Sequence, residues 1–304
     1  MSWTILSAFL PVFAVIAIGY GVRASGLAPR PIWAGANAIN HRILLPALMI
    51  SLLSRAEFGG DALLLAALSA LGSAILIGAA LMAGRLPGVP ETARAPVVAV
   101  VALWNPVLTV TLITRLLGEA GAVAAMPIIA PGLLIGTATA VAAFAFAGKA
   151  GVSGAASRVM KDPVFLGCLI GLAVNFSGLA RGAGWLLTPF DIAGSGATAV
   201  VLLALGAGLD FSALKGRIAA LAVGAGLRCG FGAALFLGIA LVFGLSGDAA
   251  LMLALAGAAP GAAFTYALAT DFKGDAGFTA GLLTLTVIVS AGVSTLAAFL
   301  ALLL

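Results

Sequence analysis

Charge is scarce in this sequence. Only 8% of its 304 residues are Asp, Glu, Lys or Arg, against about 25% in soluble domains. A chain so poor in charge cannot cover a water-facing surface, which excludes a soluble globular protein. Two cysteines, both in apolar stretches, exclude a disulfide framework and a cysteine metal centre. A single histidine excludes an HExxH metalloprotease, and paired intramembrane aspartates are missing as well. The net charge of +5 is spread over loops without a basic run or interleaved aromatics, so nucleic acid is not an expected partner.

Apolar residues fill the space, at 63%. Crossing about 30 Å of hydrocarbon takes roughly 20 apolar residues. Ten stretches qualify, near 3–22, 33–54, 61–83, 95–117, 121–147, 162–180, 190–208, 217–243, 248–270 and 276–303. The first lacks the basic start and small-residue cleavage site of a signal peptide, so it reads as a retained span. The lipid bilayer is therefore the first expected partner.

The loops after odd-numbered stretches hold Arg23, Arg30, Arg85, Arg94, Lys149, Arg158, Lys161, Lys215, Arg217 and Lys273, and the opposite side only Arg55, Arg115 and Arg181. Positive loops stay in the cytoplasm, so both termini are expected outside. The Ala- and Gly-rich usage points to a bacterial inner membrane.

An internal repeat is written into the chain. "PVFAVIAIGYGVRASGLAPRPIW" from Pro11 and "PVFLGCLIGLAVNFSGLARGAGW" from Pro163 match at 11 of 23 positions without a gap. The expected halves are 1–152 and 153–304, with five spans each. An odd number of spans inverts the second copy, a pattern of secondary transporters.

In each copy the fourth span holds a misfit, "LWNPVLTV" around Asn105–Pro106 and "LAGAAPGAAFTYALA" around Pro260–Gly261. Proline cannot donate the helical hydrogen bond. Asn is a favoured N-cap and Pro a favoured first residue, so half-helices are expected to start at Pro106 and at Pro260. Their bare amides and dipoles would then face an anion in mid-membrane. The alternative is a pair of simple proline kinks.

Arg42 and Arg228 lie inside spans while the acidic residues sit near span ends, which leaves cations for a substrate anion to balance. Alternatively, Arg42 snorkels to the surface and Arg228 bonds the carbonyls of an unwound helix. His41, between Asn40 and Arg42, is either a proton carrier or a packing hydrogen-bonder. Asn175 reads as a helix-end residue. The spacings Gly132–Gly136, Gly167–Gly171 and Gly226–Gly230 predict close helix packing.

Together "LPVFAVIAIGYGVRASGL", "NAINHRILLPALMISLL", "LLALGAGLDF" and "APGAAFTYALATDFKGDAGF" resemble, in order and spacing, the auxin efflux carrier family, which includes plant auxin carriers and bacterial malonate-type carboxylate carriers. The resemblance implies an all-α polytopic fold of ten helices in a 5+5 inverted repeat. Helices 4 and 9 would be broken and crossing, as in bile-acid symporters and sodium/proton antiporters. It also implies a scaffold of helices 1, 2, 6 and 7, often a homodimer interface, and a transport domain of helices 3–5 and 8–10. Family members usually read Asn-Thr, with Gly and Pro a few residues on. Here Pro106 follows Asn105 directly, and Val110 and Leu112 come next.

The expectation is a secondary active, elevator-like carrier of a small carboxylate, without a bound cofactor. Asn105, Pro106, Pro260 and Gly261 would form the site, faced by Asn37 and His41 and supported by Arg42 and Arg228. Coupling to a proton or to sodium stays open, as do a sodium-coupled bile-acid-type symporter and a passive anion channel. No catalytic constellation points to an enzyme.

Overall fold

In hydrocarbon every backbone N–H and C=O needs a partner within the protein, and helices provide it locally. The computed structural model describes residues 2–148, 151–182, 184–215 and 217–304; Lys149, counted above among the loop cations, lies outside them. The described residues are overwhelmingly helical, and their sole β pairing is an isolated bridge between Trp104 and Gly261.

The chain opens with α1 (Ser2–Ala24). A long rod follows, made of α2 (Arg30–Ile39), a π-helical turn (Asn40–Leu44) and α3 (Leu45–Leu53). Next are α4 (Asp61–Ala83), α5 (Glu91–Ala102), α6 (Pro106–Ala124) and α7 (Met126–Ala147). The second half contains α8 (Gly151–Met160), α9 (Pro163–Ser177), the short α10 (Leu179–Gly182) and α11 (Thr188–Ala207). Another rod joins α12 (Ile218–Ala225), a π-helical turn (Gly226–Phe231) and α13 (Gly232–Val242). The last three helices are α14 (Gly247–Ala258), α15 (Phe264–Asp271) and α16 (Ala276–Ala301).

Eight helices among the described residues are long and apolar enough to cross a membrane, or nine if α8 and α9, bent by 60°, count as one span. The molecule is a polytopic all-helical membrane protein. The expected stretch at 248–270 consists of α14 and α15, each too short to cross alone.

Helix ends follow local chemistry. Asp162 caps α9, accepting from Phe165 N at 2.8 Å ahead of a first-position proline, and Asp275 caps α16 by accepting from Phe278 N at 2.9 Å. Gly118 takes φ 75° and breaks α6, ending its straight part at Leu117; only glycine adopts that conformation without strain.

The helices pack as two bodies. In one, α1 packs on α11, and α11 on α3 and the π-turn of its rod, with α9 against α3; in the other, α4, α5 and α7 pack with α12–α16; α6 touches both, and α8 lies on α7. Lipid gives helices no hydrophobic reason to associate, so close backbone approach matters. In α1 and α11, Gly19 faces the Leu203 carbonyl and Gly206 the Ile16 carbonyl, leaving no room for a Cβ at either site. Gly132 and Gly136 pack on Trp104 and Ala102, and Gly167 and Gly171 on Pro46 and Met49, as their spacing predicts. Gly226 and Gly230 depart from that expectation, because among the described residues nothing beyond their own helix lies within 4 Å of a Cβ there; Gly224 and Gly232 make the contacts of that rod instead. Asn175, expected at a helix end, donates Nδ2 to the Leu53, Ser54 and Ala56 carbonyls and so closes the end of α3.

Candidate functional site

Both proline segments interrupt their helices, and the interruptions meet. α5 stops at Ala102, and Leu103–Trp104–Asn105 runs extended before α6 starts at Pro106. α14 stops at Ala258, and Ala259 is extended at φ −60°, ψ 145°. The two extended strips pair antiparallel: Asn105 N donates to the Pro260 carbonyl at 2.8 Å, and Ala262 N to the Leu103 carbonyl at 2.9 Å. Unpaired backbone in a membrane interior costs several kcal/mol per group, so the pairing is what permits both breaks. Gly261 sits at the contact: a Cβ there would fall 2.5 Å from Val100 Cγ1 and 3.0 Å from Leu283 Cδ2. Its own N–H donates to Thr286 Oγ1 at 3.3 Å.

The two half-helix starts differ from each other and from the expectation of two matched rings of bare amides. At α6, Pro106 is the first residue as predicted, but Asn105 Oδ1 accepts from Val107 N at 3.1 Å and Leu108 N at 3.2 Å. A capping side chain thus uses the amides that a ligand would need. Asn105 is 4% exposed, and its Nδ2 donates to no described residue. On the other strip, Pro260 does not start the helix. Gly261, held extended between Pro260 and Ala262 by the strand-like pairing, delays α15 to Phe264, with Ala263 as an N-cap lacking side-chain help. Ala263 is exposed at that start.

The other predicted residues are dispersed. Asn37 and Arg42 are exposed on the α2–α3 rod; their neighbour Asn40 is the buried one, 4% exposed, with Oδ1 unpaired among the described residues. His41 bonds Asp162 Oδ2 at 2.8 Å and stacks on Phe264 at 4.2 Å, so it touches the first residue of α15. Asp162, 2% exposed, is the carboxylate that sequence reasoning placed only near a span end. The Asp–Pro pair that opens α9 was the available signal for it, since it marks an N-cap. Arg228, 1% exposed, donates to the Val101, Ala256, Gly257 and Ala259 carbonyls at 2.8–3.0 Å.

Along α6, from Val110 onward, a cavity of about 610 Å³ lies between that helix and α3 and α11. Small-ligand sites commonly enclose about 300–1,000 Å³. Val110 and Thr111 line it one turn beyond the α6 cap, Leu48, Gly194 and Thr198 line the opposite wall, and Arg115 and Glu119 stand further along α6. Arg55 grips Asp191 with two hydrogen bonds of 2.7 and 2.6 Å, and Ser51 Oγ donates to the same carboxylate at 2.5 Å. This arrangement neutralises Arg55. Arg115 has no acidic partner within 4 Å among the described residues, which leaves it as the cavity's available cation. Sequence reading counted Arg115 only as a loop cation, because nothing in its neighbours shows which wall it faces.

No curated protein matches the chain. Residues 154–297, which hold α9 through most of α16, match the family model described as Membrane transport protein, a family of transporters and not of enzymes. Over that stretch, just under half of its length, the chain is similar to the auxin efflux carrier-like family of membrane transport proteins, in keeping with its polytopic helical fold.

Proposed function

We propose that this transporter is a secondary active carrier of a small organic anion, working by alternating access. The observation that carries the reading is the cavity between α6 and the α3–α11 wall, lined by Arg115, on the helix whose first residue leaves the crossed strips. A carboxylate entering it meets Arg115, and a charge-assisted hydrogen bond there is shorter and stronger than a neutral one. Asn105 caps the same helix ten residues earlier, about 15 Å along its axis at 1.5 Å per residue, so a small anion passes from one to the other and does not bridge them. In this reading the body of α4–α7 and α12–α16 carries the site past a scaffold of α1–α3, α9 and α11. The scaffold forms the homodimer contact, the two halves are inverted repeats, and both termini face outward from a bacterial inner membrane.

The test is exchange of radiolabelled malonate and longer dicarboxylates in proteoliposomes. Saturable uptake that unlabelled anion loaded inside accelerates is the expected result. Arg115→Gln is expected to raise KM about tenfold, the loss of one charged hydrogen bond, with an unchanged melting temperature. Flux that rises linearly with anion and shows no counter-exchange would identify a channel and overturn the carrier reading.

A further inference from the structure

Among the described residues Arg228 is the largest fully buried side chain, and no carboxylate accompanies it. A lone cation in a membrane interior is costly, so its surroundings must supply negative potential. They do so through backbone. Nε donates to Ala259 O at 3.0 Å, Nη1 to Val101 O at 3.0 Å, and Nη2 to Ala256 O and Gly257 O at 2.8 Å each. Val101 is in the last turn of α5, and Ala256 and Gly257 are in the last turn of α14. The final carbonyls of a helix lack internal partners and carry about half a negative charge. Two such ends converge on one guanidinium.

The last carbonyl of α14, Ala258 O, accepts from Ser290 Oγ at 2.9 Å and Ser294 Oγ at 3.4 Å. The π-helical turn Gly226–Phe231 holds Arg228, and Gly232 beyond it packs against Gly257, bringing the guanidinium's own rod against α14.

In carriers with broken helices, the C-terminal ends of half-helices and unwound carbonyls are where a coupling sodium is coordinated. Here those same groups are filled. We propose that Arg228 is a tethered cation occupying the position a coupling ion would take, so the crossing is complete without sodium and the transport cycle needs no sodium there. The tethered-cation part stands on the geometry alone; only its meaning for the transport cycle rests on the carrier reading. Arg228 is thus a positioning residue for both strips and does not touch the substrate.

The experiment measures melting of the purified protein in sodium, potassium and N-methylglucamine chloride, with and without about 100 mM guanidinium, since a ligand that binds the folded state raises the melting temperature. Wild type is expected to melt at the same temperature in all three salts and to lose a little stability to guanidinium. Arg228→Met, of similar length and uncharged, is expected to melt about 10 °C lower in N-methylglucamine, because four buried carbonyls lose their donor. Sodium or guanidinium should restore at least half of that loss. Stabilisation of the variant by a compound that destabilises wild type is a result that lost packing cannot produce.

Arg228→Lys keeps the charge with fewer donors and is expected to melt below wild type yet ignore sodium. It carries the comparison if Arg228→Met does not fold. Sodium raising the wild-type or Arg228→Lys melting temperature would overturn the proposal. So would an Arg228→Met variant that melts equally in every salt.

Discussion

Asn105 serves two roles with two atoms. Its Oδ1 fixes the start of α6 by holding Val107 N and Leu108 N, while its Nδ2 is left over. The roles separate by substitution. Asn105→Asp keeps an acceptor, and Asp caps as well as Asn, so its melting temperature is expected to stay within a few degrees of wild type. Asn105→Ala strips the cap and strands two buried amides, costing about 2 kcal/mol. If Nδ2 meets the anion, both variants lose malonate exchange although only Ala loses stability. Retained exchange in Asn105→Asp would confine Asn105 to its capping role. The cap was legible in the sequence, because Asn followed by Pro has one natural reading in a helix start. Its consequence was not, because the same oxygen that marks the cap consumes the amides expected to greet a ligand. Arg228 was legible in kind, since the alternative that it bonds the carbonyls of an unwound helix is what the structure shows; which carbonyls, at the ends of α5 and α14, has no local mark.

At the scale of elements, the prolines forecast that the fourth and ninth stretches would break, and they do. What separated the two breaks was the pairing partner. Pro106 starts a helix because Asn105 caps it, whereas beyond Pro260 the Gly261–Ala262 amides are drawn to Thr286 and Leu103, so the chain stays extended until Phe264. A hydrogen bond to a strip 150 residues away has no local signature.

Another junction has a measurable pH dependence. Asp275 caps α16 and is bound by Arg217 at the start of α12, whose guanidinium also lies 5.0 Å from the Phe278 ring centre. The Arg217 bond holds the Asp275 carboxyl below the ordinary carboxylate range, helped by the Phe278 amide. A carboxyl depressed in the folded state adds stability above its unfolded value, and that stability is lost as pH falls through the folded value. Wild-type melting temperature is therefore expected to drop below about pH 4. Asp275→Asn should melt lower at neutral pH and show a shallower acid decline, read by melting curves from neutral to acid pH. An equally steep decline in the variant would place the acid sensitivity elsewhere.

For the molecule as a whole, the crossing divides open from closed. On one side the cavity lies between α6 and the α3–α11 wall, while on α15 Phe264 lies flat on His41, which Asp162 holds from α9. A carrier that alternates must trade one opening for the other. Deleting the Phe264 ring removes about 1 kcal/mol of stacking, enough to shift a balance of states about fivefold. Two reporters read the trade. His41 is the single histidine, so its modification by diethylpyrocarbonate is read from one peptide mass. Ser195 is exposed on the cavity wall, and a cysteine there, with Cys168 and Cys229 replaced by Ser, reports its reaction with an impermeant maleimide. In Phe264→Ala, His41 is expected to react about fivefold faster and the Ser195→Cys thiol to react more slowly, because favouring one opening depletes the other. Faster reaction at His41 with an unchanged rate at the cysteine would mean that the ring is only a local cover, and the two sides would then open independently, as in a pore.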